Sequence, residues 1–107
     1  MYKNSLTAVP RAPGITVVHT TQTAATVRIT PSADIDGSPV NYTLFWRSHN
    51  LGGHYANLTV TKVMQDQTLS PLVADMRYDV YVEATNIVGS TKSKVIAAVT
   101  RQEGKTP

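Results

Sequence analysis

The sequence predicts an all-β protein, an antiparallel sandwich of seven short strands. Three observations predict it. Apolar residues alternate with polar ones in short runs: Ala25, Val27 and Ile29 in one, Tyr78, Val80, Val82 and Ala84 in another. Such alternation puts one set of side chains on each face of a pleated strand. Turn-forming residues break these runs roughly every 8–12 residues, the spacing of a sandwich. No stretch carries the apolar period of a long amphipathic helix.

Residues 1–9 have few apolar side chains and read as a linker, residues 10–101 as the domain, and residues 102–107 as a second polar linker. The first strand is Gly14 to Thr20 (GITVVHT), β-branched and set just after Pro13. The second is Ala24 to Thr30 (AATVRIT), ended by Pro31, which cannot donate to a ladder. Pro31 to Pro39 (PSADIDGSP) is a turn-rich loop. The third strand, Val40 to Ser48, puts Val40, Tyr42, Leu44 and Trp46 on one face and Asn41, Thr43, Phe45 and Arg47 on the other. A Gly-Gly turn follows. Tyr55 to Val60 and Val63 to Ser70 read as the fourth and fifth strands. The sixth lies within Leu72 to Gly89 (LVADMRYDVYVEATNIVG), and Lys92 to Thr100 is the last.

The totals narrow the function. The 107 residues fit one domain with one core. A net charge of +3, from 10 basic and 7 acidic side chains, is mild, and no block of like charge occurs. Nucleic-acid binding, which wants a clustered basic stripe with aromatics, is not expected. The absence of cysteine excludes disulfides, zinc-thiolate sites and thiol nucleophiles. No apolar run is long enough to span a membrane, so direct insertion is not expected. No secretory signal opens the chain, although a larger parent could carry signal and anchor elsewhere.

Candidates for chemistry are poor. His19, His49 and His54 are scattered, and although His49 and His54 flank the Gly-Gly turn, no third metal ligand stands at workable spacing. Asp34 and Asp36 start a series that could resemble a calcium loop, but the ligands stop there and turn formation explains both. No phosphate loop, nucleophile elbow or zinc-protease motif is present. The reading is of a protein that is not an enzyme, with no catalytic residue, cofactor or metal.

From about Pro10 to Thr100 the chain resembles the fibronectin type III domain. The resemblance rests on Leu72, Ala74, Met76, Tyr78, Val80, Val82, Ala84, Asn86 and Gly89, continued by Ser90, Ser93 and Thr100, and on Pro13 with the triplet Tyr42, Leu44 and Trp46. Two features depart from the family pattern. Ile29 stands where a second-strand tryptophan is usual, Trp46 supplying volume from the third strand, and Ala74 and Met76 stand where the corner has Pro and Thr. The resemblance implies an immunoglobulin-like sandwich with three strands in one sheet and the third, fourth, sixth and seventh in the other. It also implies a structural corner at Leu72 and Tyr78, the tyrosine ring buried and its hydroxyl bonded to backbone just upstream. The turn Asn86 to Ser90 holds no Arg-Gly-Asp, so integrin binding through that loop is not implied.

With that strand order, Phe45 and Tyr81 share the outer face of the larger sheet, with Arg47, Asp79 and Glu83 around them. An aromatic patch rimmed by charge is the composition of a contact surface. A cross-strand aromatic pair that merely covers its own sheet is the alternative. Arg28, Lys62, Lys92 and Lys94 invite a heparin-like polyanion, but they fall on different sheets. Two N-glycosylation sequons occur, at Asn41 and Asn57, where composition alone gives about one. Together with the resemblance these imply a non-catalytic structural and interaction module of a larger extracellular or cell-surface protein, secreted or single-pass. Its expected work is as spacer and contact surface in cell adhesion or receptor recognition. Its expected partners are adjacent modules in tandem and homophilic or receptor–ligand protein domains. The alternatives are an accessory spacer or carbohydrate-associated domain of a secreted multidomain enzyme, and a module of an intracellular muscle-type array.

Overall fold

The computed structural model describes residues 8–31, 41–60 and 65–102. Most of the Pro31 to Pro39 loop, with Asp34 and Asp36, lies outside the described residues, as do Val40, Lys62 and Val63. The strands are β1 (Gly14–Thr20), β2 (Ala25–Thr30), β3 (Asn41–Ser48), β4 (Ala56–Val60), β5 (Gln67–Leu69), β6 (Arg77–Thr85), β7 (Ser90–Lys92) and β8 (Ile96–Val99). One sheet has the order β1-β2-β5; the other has the order β4-β3-β6-β7, with β8 also paired to β6. Every pairing is antiparallel. This is the partition into sheets that the resemblance implies, with the last strand present as β7 and β8.

The core fills the space between the sheets with the predicted alternating side chains. Ala25, Val27 and Ile29 of β2 face Tyr42 and Leu44 of β3 and Tyr78, Val80, Val82 and Ala84 of β6, all buried. Trp46 is half-buried and packs against this cluster from the end of β3. Each fully buried Val or Leu contributes roughly 1.5–3 kcal/mol by leaving water, so these strands hold their register firmly: slipping by one residue would turn the whole apolar set outward.

The last strand differs from expectation. It is not continuous over Lys92 to Thr100 but divides into β7 and β8 around Ser93. The buried Ser93 explains the break. Its backbone N–H donates to Val82 O at 2.8 Å, but Val82 N–H donates to the Ser93 hydroxyl at 3.0 Å rather than to the ladder. The hydroxyl then donates to Lys94 O at 2.9 Å. A side-chain oxygen has replaced a carbonyl and bent the strand. The fifth strand is also shorter than read, since Gln65 and Asp66 lie before it and Ser70 after it.

The β3–β4 turn requires its glycines. Gly52 and Gly53 have φ of 67° and 82°, the left-handed region that side chains resist. Gly52 N–H donates to Ser48 O at 2.9 Å and Leu51 N–H to the Ser48 hydroxyl at 3.1 Å, closing the turn.

The chain meets the two ends of the sandwich at opposite poles. At the β6–β7 turn, Asn86 Nδ2 donates to Ala8 O at 2.9 Å, while Asn86 Oδ1 accepts from Val88 N–H at 2.8 Å and Gly89 N–H at 3.1 Å. Pro10 is fully buried just after. At the other end of β6, Arg101 N–H donates to Thr21 O and Asp75 N–H to Arg101 O, both at 2.9 Å.

Candidate functional site

Alternation along β3 and β6 sends Phe45, Arg47, Asp79, Tyr81 and Glu83 to the outer face of the larger sheet. The register sets them in rows: Arg47 opposite Asp79, Phe45 opposite Tyr81, Thr43 opposite Glu83, Asn41 opposite Thr85. The grid extends through β4, with Asn57 opposite Phe45, and through β7, with Lys92 opposite Glu83.

Phe45 and Tyr81 stack, their centroids 4.8 Å apart and planes 15° from parallel. A third ring joins them. Tyr55, just before β4, meets Tyr81 edge-on at 5.1 Å and Phe45 edge-on at 6.5 Å. These are the offset and T-shaped geometries that aromatic quadrupoles favour. Cations close the cluster on two sides. The Arg47 guanidinium lies 4.5 Å over Tyr55 and is held there by donating to Gly53 O at 3.0 Å. Lys92 Nζ lies 5.1 Å over Tyr81. All three rings are half-buried, so each keeps an edge or face toward solvent.

Sequence reasoning missed Tyr55 and Lys92 as members of this face. Tyr55 is in phase with Asn57 and Thr59, and that spacing was the signal available. Lys92 was weighed only as one of several scattered cations. Asp79 is occupied at the rim, its carboxylate 3.0 Å from His49 Nδ1 and 3.7 Å from Arg77 Nε. His49 is thus turned toward Asp79. Among the described residues no group of three or more metal-ligating side chains forms.

The polyanion candidates do not converge. Arg28 is on β2 of the smaller sheet and Lys92 on β7 of the larger; Lys62 lies outside the described residues. Arg28 is also engaged, donating through Nε and Nη2 to the two Asp66 oxygens at 2.8 and 3.1 Å. That fork of hydrogen bonds holds Asp66 below the ordinary carboxylate range; desolvation opposes it, and the charges of Arg28 and His19 add smaller lowering effects.

Tyr78 sits at the corner, 7% exposed, its hydroxyl accepting from Val73 N–H at 2.8 Å. Leu72 is buried beside it. Thr100, buried, ties the same corner from just past the end of β8. Its hydroxyl accepts from Met76 N–H at 3.0 Å and donates to Val73 O at 2.6 Å. A shallow cleft of about 590 Å³ opens here, lined by Thr21, Asp75, Thr100 and Arg101 among others. Among the described residues that line it there is no histidine and no second carboxylate. A smaller one of about 340 Å³ lies between Pro13 and Ile96, with Lys94 the one charged side chain among the described residues that line it.

No family model and no curated protein sequence matches the chain. Solved structures do. The fn3 domain of human collagen alpha-1(XX) chain aligns with a TM-score of 0.74 at 21% identity, covering 97% of this chain and 98% of that one. The chain has the fibronectin type III fold. Chicken CNTN1 FN1-FN3 domains align with a TM-score of 0.74 at 18% identity over 87% of this chain. Domains A168-A170 from titin align with a TM-score of 0.72 at 19% identity over 88%. In both of these the chain spans 33% of the length of the matched structure, so a fibronectin type III fold of this size stands in them as one part of a chain of several domains.

Proposed function

We propose that the protein is a non-catalytic structural and interaction module of a larger extracellular protein, a spacer that also presents a contact surface in cell adhesion or receptor recognition. The observation that carries this is the placement of the chain at the two poles. Ala8 is clamped at the β6–β7 turn and Arg101 at the opposite end of β6. A chain that passes through such a sandwich from pole to pole sets its neighbours apart by the length of the strands. The outer face of the larger sheet is then the side presented to partners. Its three rings, between Arg47 and Lys92 and beside Glu83, supply large rigid contact area with charge at the rim. Adjacent modules and separate protein domains are the partners such a face suits. The extracellular location rests on the two sequons at Asn41 and Asn57.

Labelling intact cells that express the full-length protein tests the location. Lys92 and Lys94 are exposed, so a membrane-impermeant amine reagent should modify them without lysis. Modification only after lysis would overturn the extracellular reading.

A further inference from the structure

Asn57 stands inside the aromatic face, not beside it. It lies directly opposite Phe45 on β4, and Phe45 stacks on Tyr81. Tyr55, two residues earlier on the same face, closes the cluster against Tyr81 at 5.1 Å. Thr59, the third residue of the sequon, points the same way and is exposed, its hydroxyl 3.4 Å from that of Thr43. A sugar carried on Asn57 would therefore have Phe45 across the ladder and Tyr55 two residues away on its own strand side, both half-buried, and pyranose C–H faces pack well against aromatic rings.

The sheet edge supplies an independent observation. β4 is the outermost strand of the larger sheet. Ala56, Asn57, Leu58 and Thr59 are all exposed, and Ala56–Val60 (ANLTV) contains no charged residue and no proline. Unprotected edges invite pairing with another chain. The other edges each have a device. β1 carries a register shift between Val17 and His19, β5 and β7 are three residues long, and β8 is four residues long and packs against β1. Among the described residues the β4 edge shows none of these.

We propose that Asn57 carries an N-linked glycan whose innermost sugar packs on Tyr55 and Phe45, covering the β4 edge and leaving Tyr81, Glu83 and Lys92 as the open part of the contact face. This rests on the extracellular reading, since it requires a secretory route. The donor is a polyisoprenyl-diphosphate-linked oligosaccharide, supplied with its transferase by the host. The Asn57 amide nitrogen forms a bond to the anomeric carbon of the first sugar, the bond from that carbon to the diphosphate oxygen breaks, the lipid diphosphate leaves, and the amide proton passes to base. Bulk and solubility at a surface strand are the physical consequence. Asn41 shares the outer face but pairs with Thr85 at the far end of β3, away from the rings, so it serves as the internal comparison.

The test is expression of the chain in a eukaryotic secretory host, with peptide masses at both sequons and thermal unfolding of four forms: parent, Asn57→Gln, Tyr55→Ala and the double variant. The expected result is a modified Asn57, a midpoint that falls by a few degrees in Asn57→Gln, and little or none of that fall in the Tyr55→Ala background. The double-mutant cycle isolates the coupling between glycan and ring. A bare Asn57 overturns the proposal. So does a modified Asn57 whose loss costs the same with and without Tyr55. If Asn41 is modified and Asn57 bare, the proposal alone fails. If both are bare, the extracellular reading loses its support as well. Self-association of Asn57→Gln, absent in the parent, is expected from an uncovered β4 edge; equal self-association of both forms overturns the edge role.

Discussion

Replacing Thr100 by valine should cost more stability than removing the hydroxyl of the corner tyrosine. Thr100 is 2% exposed, and its hydroxyl serves two backbone groups, accepting from Met76 N–H at 3.0 Å and donating to Val73 O at 2.6 Å. Valine keeps the branched shape and supplies neither function. Each partner left unpaired in a buried place costs about 1–3 kcal/mol. The Val73 carbonyl, with two lone pairs and its residue at the surface, belongs at the low end of that range, and the extra methyl recovers part of the loss. The net is about 2 kcal/mol. For a domain of this size each kcal/mol moves the midpoint by about 4–8 °C, so a fall of about 10 °C is expected. Chemical denaturation of the isolated chain measures it, and the denaturant slope should be unchanged. Thr100→Ser, which keeps the hydroxyl, should recover most of the difference. A Thr100→Val variant within about 0.5 kcal/mol of the parent would refute the reasoning, because it would mean that Met76 N–H finds another partner at no cost.

Tyr78→Phe should cost about 1 kcal/mol, less than Thr100→Val, because the donor it orphans belongs to Val73, which is 56% exposed; equal losses in the two variants would contradict that ordering. Gly53→Ala should cost roughly 1–2 kcal/mol through backbone strain alone, since φ there is +82° and an added methyl meets nothing within 4 Å. An unchanged midpoint would show that the turn relaxes. Arg28→Gln should give a small, salt-sensitive loss at neutral pH, as expected of an exposed pair. Asp66 is held low in the folded chain, so this contribution is present above the ordinary carboxylate range and disappears as pH falls through the folded value. The gap between variant and parent should therefore close in strong acid, and a gap that persists there would point to a lost packing contact instead.

Strands β2, β3 and β6 were legible because each has one face on the core and one toward water, and period-two alternation records that difference. β4 was harder, since Ala56, Asn57, Leu58 and Thr59 are exposed on both faces at a sheet edge and nothing forces alternation there. The break at Ser93 was not legible at all. It depends on a hydroxyl taking Val82 N–H from the ladder, which a serine in a strand-like run does not announce. The face was half legible. Phe45 and Tyr81 followed from alternation and the strand order that the resemblance implies, whereas Tyr55, at the edge of the read fourth strand and just before the observed β4, shares the phase of Asn57 and Thr59 but was not assigned to the face. The placement of Lys92 needed the pairing of β7 with Glu83, which the sequence does not state.

The most direct measurement is association of the full-length protein with its partners when Tyr81 is replaced by alanine, beside Tyr78→Phe as a control. Tyr78 lies on the core side of β6 and Tyr81 on the outer side, so the two substitutions separate stability from contact. If the outer face is the contact surface, Tyr81→Ala weakens association while the chain remains folded, and Tyr78→Phe lowers stability with association intact. Association unchanged in Tyr81→Ala would contradict the proposed role of this face and leave the rings as a cover for their own sheet.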